Sequence, residues 1–283
     1  MRTRVFTVLA VVLALTVCVV IWKSAHPKPR KYIVAKKAAR PAVTPAKKKA
    51  ALPPITKKYV SPKVVIVMDD FGNTKMNLSK FFSIGKPITL SVLPSERYTK
   101  EVASEALAKG YEVILHLPME PKPGKDGKPI GLEIDTIRVG MSESEILEKL
   151  NKNLDGVPGI TGVSNHMGSL ATENKHVMAI VLSRIKRKGL FFFDSLTSDD
   201  SVCGQVAKSL GLRFAKRDLF LDNSSDPKLI EKEVFELRRM AFARGRAIAV
   251  CHDRKNTVAV LAKMMPAMAE EGIEFVKLSD MVN

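Results

Sequence analysis

Acidic residues are absent from the start of this 283-residue chain, and the first of its 29 aspartate and glutamate residues is Asp69. Residues 1–63 hold 15 of the 46 lysine and arginine residues, so 31 basic residues accompany 29 acidic ones in the remainder. The formal charge of +17 therefore comes from a leading tail, and the body of the chain is almost neutral. Because a nucleic-acid-binding domain carries its basic excess on a folded face, this distribution argues against nucleic acid as a partner.

Cysteine is also scarce, and the three cysteines are too few for a disulfide scaffold. The chain has no Gly-x-Ser-x-Gly motif, and neither Cys203 nor Cys251 has a recognisable histidine partner pattern, so nucleophilic catalysis is not indicated. Cys251 adjoins His252 but is expected to point to the opposite face of its strand, into the core. The apolar content is sufficient for one large domain or two small ones.

The N-terminus contains an uncharged run from Val5 to Trp22, preceded by Arg2 and Arg4. As a helix this run would be about 27 Å long, close to the ~30 Å thickness of the hydrocarbon core of a bilayer. We interpret residues 1–22 as a signal anchor that forms a transmembrane helix. A cleaved signal peptide is the alternative, but its apolar region is shorter and ends in a small-x-small site. Residues 23–63 contain seven prolines, many lysines and no glycine, which is typical of a disordered, extended linker.

Residues 64–283 alternate between β-branched apolar runs and amphipathic stretches, which predicts an α/β domain with parallel strands. The predicted strands lie at 64–68, 88–93, 113–117, 160–164, 190–193, 247–251 and 275–278. The predicted helices lie at 100–109, 143–154, 176–188, 202–210, 228–244 and 258–271. Ser142 and Glu145 form a capping-box signature at the start of one helix. A barrel and a doubly wound sheet both satisfy this pattern. Residues 118–138 lack a helical face and are expected to form an inserted loop or hairpin over the C-terminal end of the third strand.

Polar side chains follow five of the predicted strands at the point where each strand ends. They are Asp69 and Asp70 after the first strand, His116 at the third, His166 after the fourth, Asp194 at the fifth and His252 after the sixth. Because the carboxyl ends of parallel strands share one rim, we expect these residues to converge. One carboxylate and two imidazoles suit a divalent metal with an open position for water, which favours hydrolysis of an amide or ester.

The motifs at these positions resemble the divergent polysaccharide deacetylases, which are related to NodB-type carbohydrate esterases. They are Asp69-Asp70-Phe71-Gly72, the sequence His-Leu-Pro-Met-Glu at 116–120, Asn-His-Met-Gly-Ser at 165–169, Phe-Phe-Phe-Asp-Ser at 191–195, and His252. The resemblance covers residues 64 to about 282. It implies an incomplete (β/α)7-type barrel that is metal-dependent, with zinc as the expected metal, and that acts on N-acetyl groups of polysaccharide such as peptidoglycan.

The resemblance also implies a role for each matching residue. Asp69 would be the catalytic base, Asp70 and His116 would bind the metal, and His252 would protonate the leaving amine. Asp194 would be the carboxylate that orients His252.

The chain departs from the family pattern at two of these motifs. Glu120 stands where the ordinary deacetylases have a second metal-binding histidine, four residues after His116. The Asn-His-Met-Gly-Ser sequence at 165–169 replaces their Arg-x-x-Tyr-like motif. We therefore hypothesise that His166 supplies the missing imidazole and completes a set of Asp70, His116 and His166. Glu120 would be either an alternative metal ligand or a loop residue without a role in metal binding.

Two functions follow as hypotheses. The first is an envelope-located, metal-dependent hydrolase that removes acetyl groups from polysaccharide amino sugars. The second is a catalytically inactive protein that binds glycan or a partner with the same rim. The resemblance implies that the domain faces the periplasm or the cell exterior, anchored in the bacterial inner membrane. The lysine-rich flank after Trp22 taken alone would favour the cytoplasm.

Overall fold

The computed structural model describes residues 60–127 and 130–283. The predicted signal anchor and residues 23–59 of the predicted linker lie outside these residues. Within the described ranges, none of the helices combines the length and the apolar character needed to cross a bilayer.

The described part of the chain alternates strands and helices. The strands are β1 (Lys63–Phe71), β2 (Thr89–Val92), β3 (Glu112–Met119), β4 (Gly162–Met167), β5 (Phe191–Asp194), β6 (Phe214–Lys216), β7 (Leu219–Phe220), β8 (Arg246–His252) and β9 (Glu274–Phe275). The α-helices are α1 (Leu78–Phe82), α2 (Thr99–Ala108), α3 (Glu143–Gly156), α4 (Lys175–Arg187), α5 (Cys203–Leu210), α6 (Pro227–Arg244) and α7 (Lys255–Glu270). Short 3₁₀ helices lie at Ala171–Glu173 and Leu278–Asp280.

All strand pairs in the sheet are parallel, and the strand order is β6-β5-β4-β3-β2-β1-β8-β7, with β9 paired to the start of β1. β6 and β7 lie at opposite ends of this order, yet only Arg217 and Asp218 separate them in the chain. Three Cα steps span at most about 11 Å, so the sheet must curl until its two ends almost meet. The fold is therefore an incomplete parallel barrel, as the resemblance implied.

Alternate residues along each strand separate two apolar layers. Val65 and Val67 of β1 pack inside the barrel with Ile114, Phe191, Phe193, Ile248 and Val250. Their neighbours Val64, Ile66 and Met68 face the helices, as do Phe192 and Cys251. The expectation that Cys251 packs in the core is confirmed, and it is buried as a free thiol. This alternation decides which polar residue at the end of each strand enters the barrel mouth.

The sequence pattern located the seven predicted strands and six predicted helices within a few residues. The capping box is present, since the Ser142 hydroxyl accepts from the amide of Glu145 and the Glu145 carboxylate accepts from the amide of Ser142 at 2.8 Å. The short elements β6, β7 and α1 were not predicted. The final predicted strand is present only as the two-residue β9. It pairs with Lys63 and Val64, which precede the part of β1 that pairs with β2.

Candidate metal centre

Asp69 and Asp70 both reach the barrel mouth, although they are consecutive on one strand. Asp69 has the same parity as Val65 and Val67 and is therefore directed inward, where it is buried. Asp70 has the parity of Met68 and would face the helices in a regular strand. Its backbone is left-handed, with φ of 66°, and the pairing of β1 with β2 shifts register between Met68 and Phe71. This bulge turns the second carboxylate toward the first.

Two histidines from neighbouring strands meet the Asp70 carboxylate. Nε2 of His116 lies 3.4 Å from Oδ1 of Asp70, and Nδ1 of His166 lies 3.2 Å from the same oxygen. The two rings are 4.8 Å apart in an edge-to-face arrangement. One ligand atom from each of the three residues falls within 4.8 Å of the others. The hypothesis that His166 joins Asp70 and His116 thus agrees with the geometry.

Each ring makes a hydrogen bond on the side away from Asp70, and for His166 this bond indicates which nitrogen faces Asp70 with a lone pair. Nε2 of His166 lies 3.0 Å from Oε1 of Glu133, and Nδ1 of His116 lies 2.8 Å from the Ser164 hydroxyl. A carboxylate only accepts, so it holds the imidazole proton of neutral His166 on Nε2. Its Nδ1 lone pair then faces Oδ1 of Asp70, which is buried and makes no hydrogen bond among the described residues.

This donor set fits a divalent cation. Lone pairs that converge on one another repel unless a positive charge lies between them, and two imidazoles with one carboxylate suit zinc in particular. Without a metal, a proton bound to an imidazole can supply the positive charge between these lone pairs. Burial alone would lower the pKa of His166, but Asp70 and Glu133 outweigh it and raise the pKa. Burial acts to raise the pKa of Asp70, yet the two histidines outweigh it and lower the pKa strongly.

Asp69 and His252 lie beside the three candidate ligands and are register partners on the neighbouring strands β1 and β8. Oδ2 of Asp69 lies 3.7 Å from Nε2 of His116, and Nε2 of His252 lies 3.7 Å from Oδ2 of Asp70. Burial raises the pKa of Asp69. Burial alone would lower the pKa of His252, but the carboxylates of Asp222 and Asp70 outweigh it and raise the pKa. The site therefore places a buried carboxylate and an imidazole beside the candidate metal ligands.

The expectation that Asp194 orients His252 is wrong. Nδ1 of His252 lies 3.0 Å from Oδ1 of Asp222, a fully buried carboxylate that also accepts from the Thr257 hydroxyl at 2.7 Å. Asp194 instead accepts from the Ser201 hydroxyl and the amide of Leu196. The reason is the alternation of side chains along β5. Asp194 lies two residues after Phe192, so both face the helices and not the inside of the barrel.

Glu120 is placed away from the metal ligands. Its Oε2 accepts from the amide of Val139 at 2.7 Å, and its backbone carbonyl accepts from the amides of Leu170 and Ala171. Of the two interpretations that the sequence left open, the geometry favours the one in which Glu120 is a loop residue without a role in metal binding.

Residues 66–282 match the model of the family described as divergent polysaccharide deacetylase. The chain belongs to the divergent polysaccharide deacetylase family. It is 32% identical to YibQ, an uncharacterized protein of Escherichia coli K12, over 234 residues that cover 83% of this chain and 72% of YibQ. It is 30% identical to an uncharacterized protein of Haemophilus influenzae over 213 residues, which cover 75% of this chain and 74% of that protein.

A solved structure has the same fold. The crystal structure of uncharacterized protein ATU2773 from Agrobacterium tumefaciens C58 superposes with a TM-score of 0.72. The match has 24% sequence identity and covers 80% of this chain and 91% of that one. At this identity the likeness shows the fold alone.

The mouth of this deacetylase fold is a cavity of about 400 Å³. Asp69, Asp70 and the three histidines His116, His166 and His252 line this cavity. The other lining residues are Asn165, Met167, Ser195, Thr197, Arg217, Phe220 and Asn223. Asp222, Glu133 and Arg217 were not predicted as site residues. Asp222 follows a strand of two residues, which is too short to show a periodic pattern, and Glu133 and Arg217 lie in connecting segments. Had β7 been recognised, the rule that located the other polar residues would also have located Asp222.

Removing one metal ligand should abolish tight zinc binding. We expect the parent protein to bind about one zinc ion and His166→Ala to bind more than about 100-fold more weakly, since even outer-shell partners of a metal contribute 10–100-fold. Elemental analysis and competition titration with a chromophoric chelator measure both quantities. His176→Ala, an exposed change on α4, is the control and should keep the parent affinity. Equal affinity of His166→Ala and the parent would contradict this assignment.

The partner of His252 can be tested by its titration in the metal-free protein. Asp222→Asn removes one of the carboxylates that oppose the effect of burial, so the pKa of His252 should fall. Asp194→Asn should leave it unchanged. A side-chain NMR titration of the histidine rings gives these values, with circular dichroism to check that each variant is folded. If Asp194→Asn lowers the pKa of His252 and Asp222→Asn does not, then Asp222 is not the residue that orients His252.

Proposed function

We propose that this chain is a metal-dependent hydrolase that removes acetyl groups from amino sugars of a polysaccharide in the bacterial envelope. One observation carries the proposal: a single cavity is lined by the Asp70, His116 and His166 set together with Asp69 and His252, and the His252 ring is held by Asp222. Membership of the deacetylase family supplies the substrate class. Peptidoglycan-type glycan is the substrate that we propose within that class.

A divalent cation, proposed to be zinc, would activate water and polarise a carbonyl when held by Asp70, His116 and His166. The remaining residues then have the tasks of moving protons. Asp69 is the proposed base, because burial makes its carboxylate more basic than that of an exposed aspartate. One of its oxygens, Oδ1, is buried without a hydrogen bond among the described residues.

His252 is the proposed acid. Asp222 holds Nδ1 of His252, so Nε2 is the ring nitrogen on the cavity side, 3.7 Å from Asp70. The raised pKa of His252 favours the protonated ring that an acid needs. In the proposed reaction a bond forms between the water oxygen and the acetyl carbon, and the carbon–nitrogen bond breaks. The water proton goes to Asp69, and the Nε2 proton of His252 goes to the leaving amine.

The location of this activity is a further part of the proposal. Val5–Trp22 would anchor the chain in the inner membrane, and residues 23–63 would act as a spacer that lets the domain reach glycan outside the cytoplasm. Alkaline phosphatase fused after residue 60 should be active, because this enzyme requires export. A fusion of green fluorescent protein at the same position that fluoresces, together with an inactive phosphatase fusion, would place the domain in the cytoplasm and contradict the location.

Acetate release should depend on both proton-transfer residues. The parent protein, loaded with zinc, should release acetate from acetylated chitooligosaccharides or peptidoglycan. Asp69→Asn and His252→Ala should each reduce kcat by roughly 10²–10⁴-fold, the usual contribution of general acid–base catalysis. Both variants should keep the zinc, which separates loss of proton transfer from loss of metal. His176→Ala should retain the parent rate.

The outcome also separates the enzyme from a glycan-binding protein built on the same barrel. If the parent protein binds the glycan but releases no acetate, and Asp69→Asn binds it equally well, the hydrolase proposal fails. Binding measured by equilibrium dialysis with the same oligosaccharides makes this comparison direct.

A further inference from the structure

We propose that Glu133 is the positioning residue of the metal centre: it fixes the ring orientation and the tautomer of His166. Glu133 belongs to the segment between β3 and α3 and is not part of a helix or a strand. Its Oε1 lies 3.0 Å from Nε2 of His166. The inference depends on the metal site that the proposed function invokes, but it does not depend on the hydrolysis.

The two metal-binding histidines offer different nitrogens, and each needs its own partner. His116 uses Nδ1 for the Ser164 hydroxyl and presents Nε2 to Asp70. His166 does the reverse, with Nε2 at Glu133 and Nδ1 at Asp70. An unpartnered neutral imidazole is free to carry its proton on either nitrogen. By accepting from Nε2–H, Glu133 leaves the lone pair of Nδ1 available to a metal, as outer-shell carboxylates do at other metal centres.

The backbone around Glu133 forms a defined turn. The Glu133 carbonyl accepts from the Thr136 hydroxyl at 2.8 Å and from the Thr136 amide at 3.3 Å. Asp135 within this turn has a left-handed backbone, with φ of 67°, and its side chain is only 9% exposed. Glu133 is therefore held by local structure and does not extend from a free loop.

Two neighbouring elements fasten this turn. The Asp135 carboxylate forms ion pairs with Lys149 and Lys152 of α3, at 3.4 and 2.6 Å, and its backbone carbonyl accepts from Asn153 at 3.1 Å. On the other side, the amide of Ile137 donates to the Pro118 carbonyl at 2.9 Å, which ties the segment to β3. The turn is thus bonded to both α3 and β3, and the Glu133 carboxylate is its contact with His166.

The first experiment measures zinc affinity of the full chain, purified in detergent. Glu133→Gln preserves the size of the side chain but replaces a pure acceptor with an amide, and it should weaken zinc binding about 10–100-fold. Glu143→Gln, an exposed change in the first turn of α3, is the matched control and should bind zinc as the parent does. Equal zinc affinity of Glu133→Gln and the parent would overturn the inference.

The second measurement reports the tautomer, which a purely structural role would not change. In ¹⁵N NMR spectra of the metal-free parent at a pH where the ring is neutral, His166 should carry its proton on Nε2. In Glu133→Gln a substantial Nδ1–H population should appear. An unchanged tautomer in a variant with reduced affinity would mean that Glu133 acts in some other way, and the inference would be wrong.

A double-mutant cycle tests the role of the turn. Asp135→Asn should weaken zinc binding less than Glu133→Gln does, and it should add little in the Glu133→Gln background, because both act on His166 through one carboxylate. Fully additive effects would contradict this connection. A parent that binds no zinc would overturn both this inference and the proposed function. A parent that binds zinc in a Glu133-dependent way but releases no acetate would overturn only the proposed function.

Discussion

The left-handed backbone at Asp70 is the constraint on which the rest of the site depends. A regular β1 would place Asp69 in the barrel and Asp70 among the helices, because alternate residues face opposite sides. The bulge after Met68 instead places both carboxylates at one mouth. A non-glycine residue in this conformation costs about 1–3 kcal/mol, which the surrounding sheet must offset. The pairing of β1 with β8 on one side and β2 on the other fixes the strand on both sides of this strained position.

Carboxylates and imidazoles meet at the mouth of the barrel. Asp69, Asp70 and Asp222 contribute three carboxylates, and the histidines beside them face these oxygens. Burial raises the pKa of Asp69, whereas it is outweighed at Asp70, where the imidazoles lower the pKa. Adjacent carboxylates thus differ in proton affinity, which is the condition for assigning one to the metal and the other to proton transfer.

Sequence pattern was sufficient for much of the fold but only for part of the site. Long apolar runs located β1, β3 and β8, and their final residues led to Asp69, His116 and His252. The same reasoning failed at Asp194, because Phe191, Phe192 and Phe193 are all apolar and hide the alternation between the two faces of β5. It failed at Asp222 because β7 has only two residues. Glu133 lies in a segment without periodicity, where tertiary contacts alone determine its position.

The structure also shows how a candidate metal set forms although Glu120 stands four residues after His116. A second histidine four residues after His116 would come from the segment that follows β3, but that position holds Glu120, which is bonded to Val139. The third candidate ligand, His166, comes instead from β4. In the β3–β4 register His116 pairs with Ser164, so His166 lies two residues further along β4 and on the same face. A slip of one residue in this register would turn His166 toward the helices. The ligand set therefore depends on parallel pairing between two strands, whereas a motif within one segment would depend only on local chain geometry.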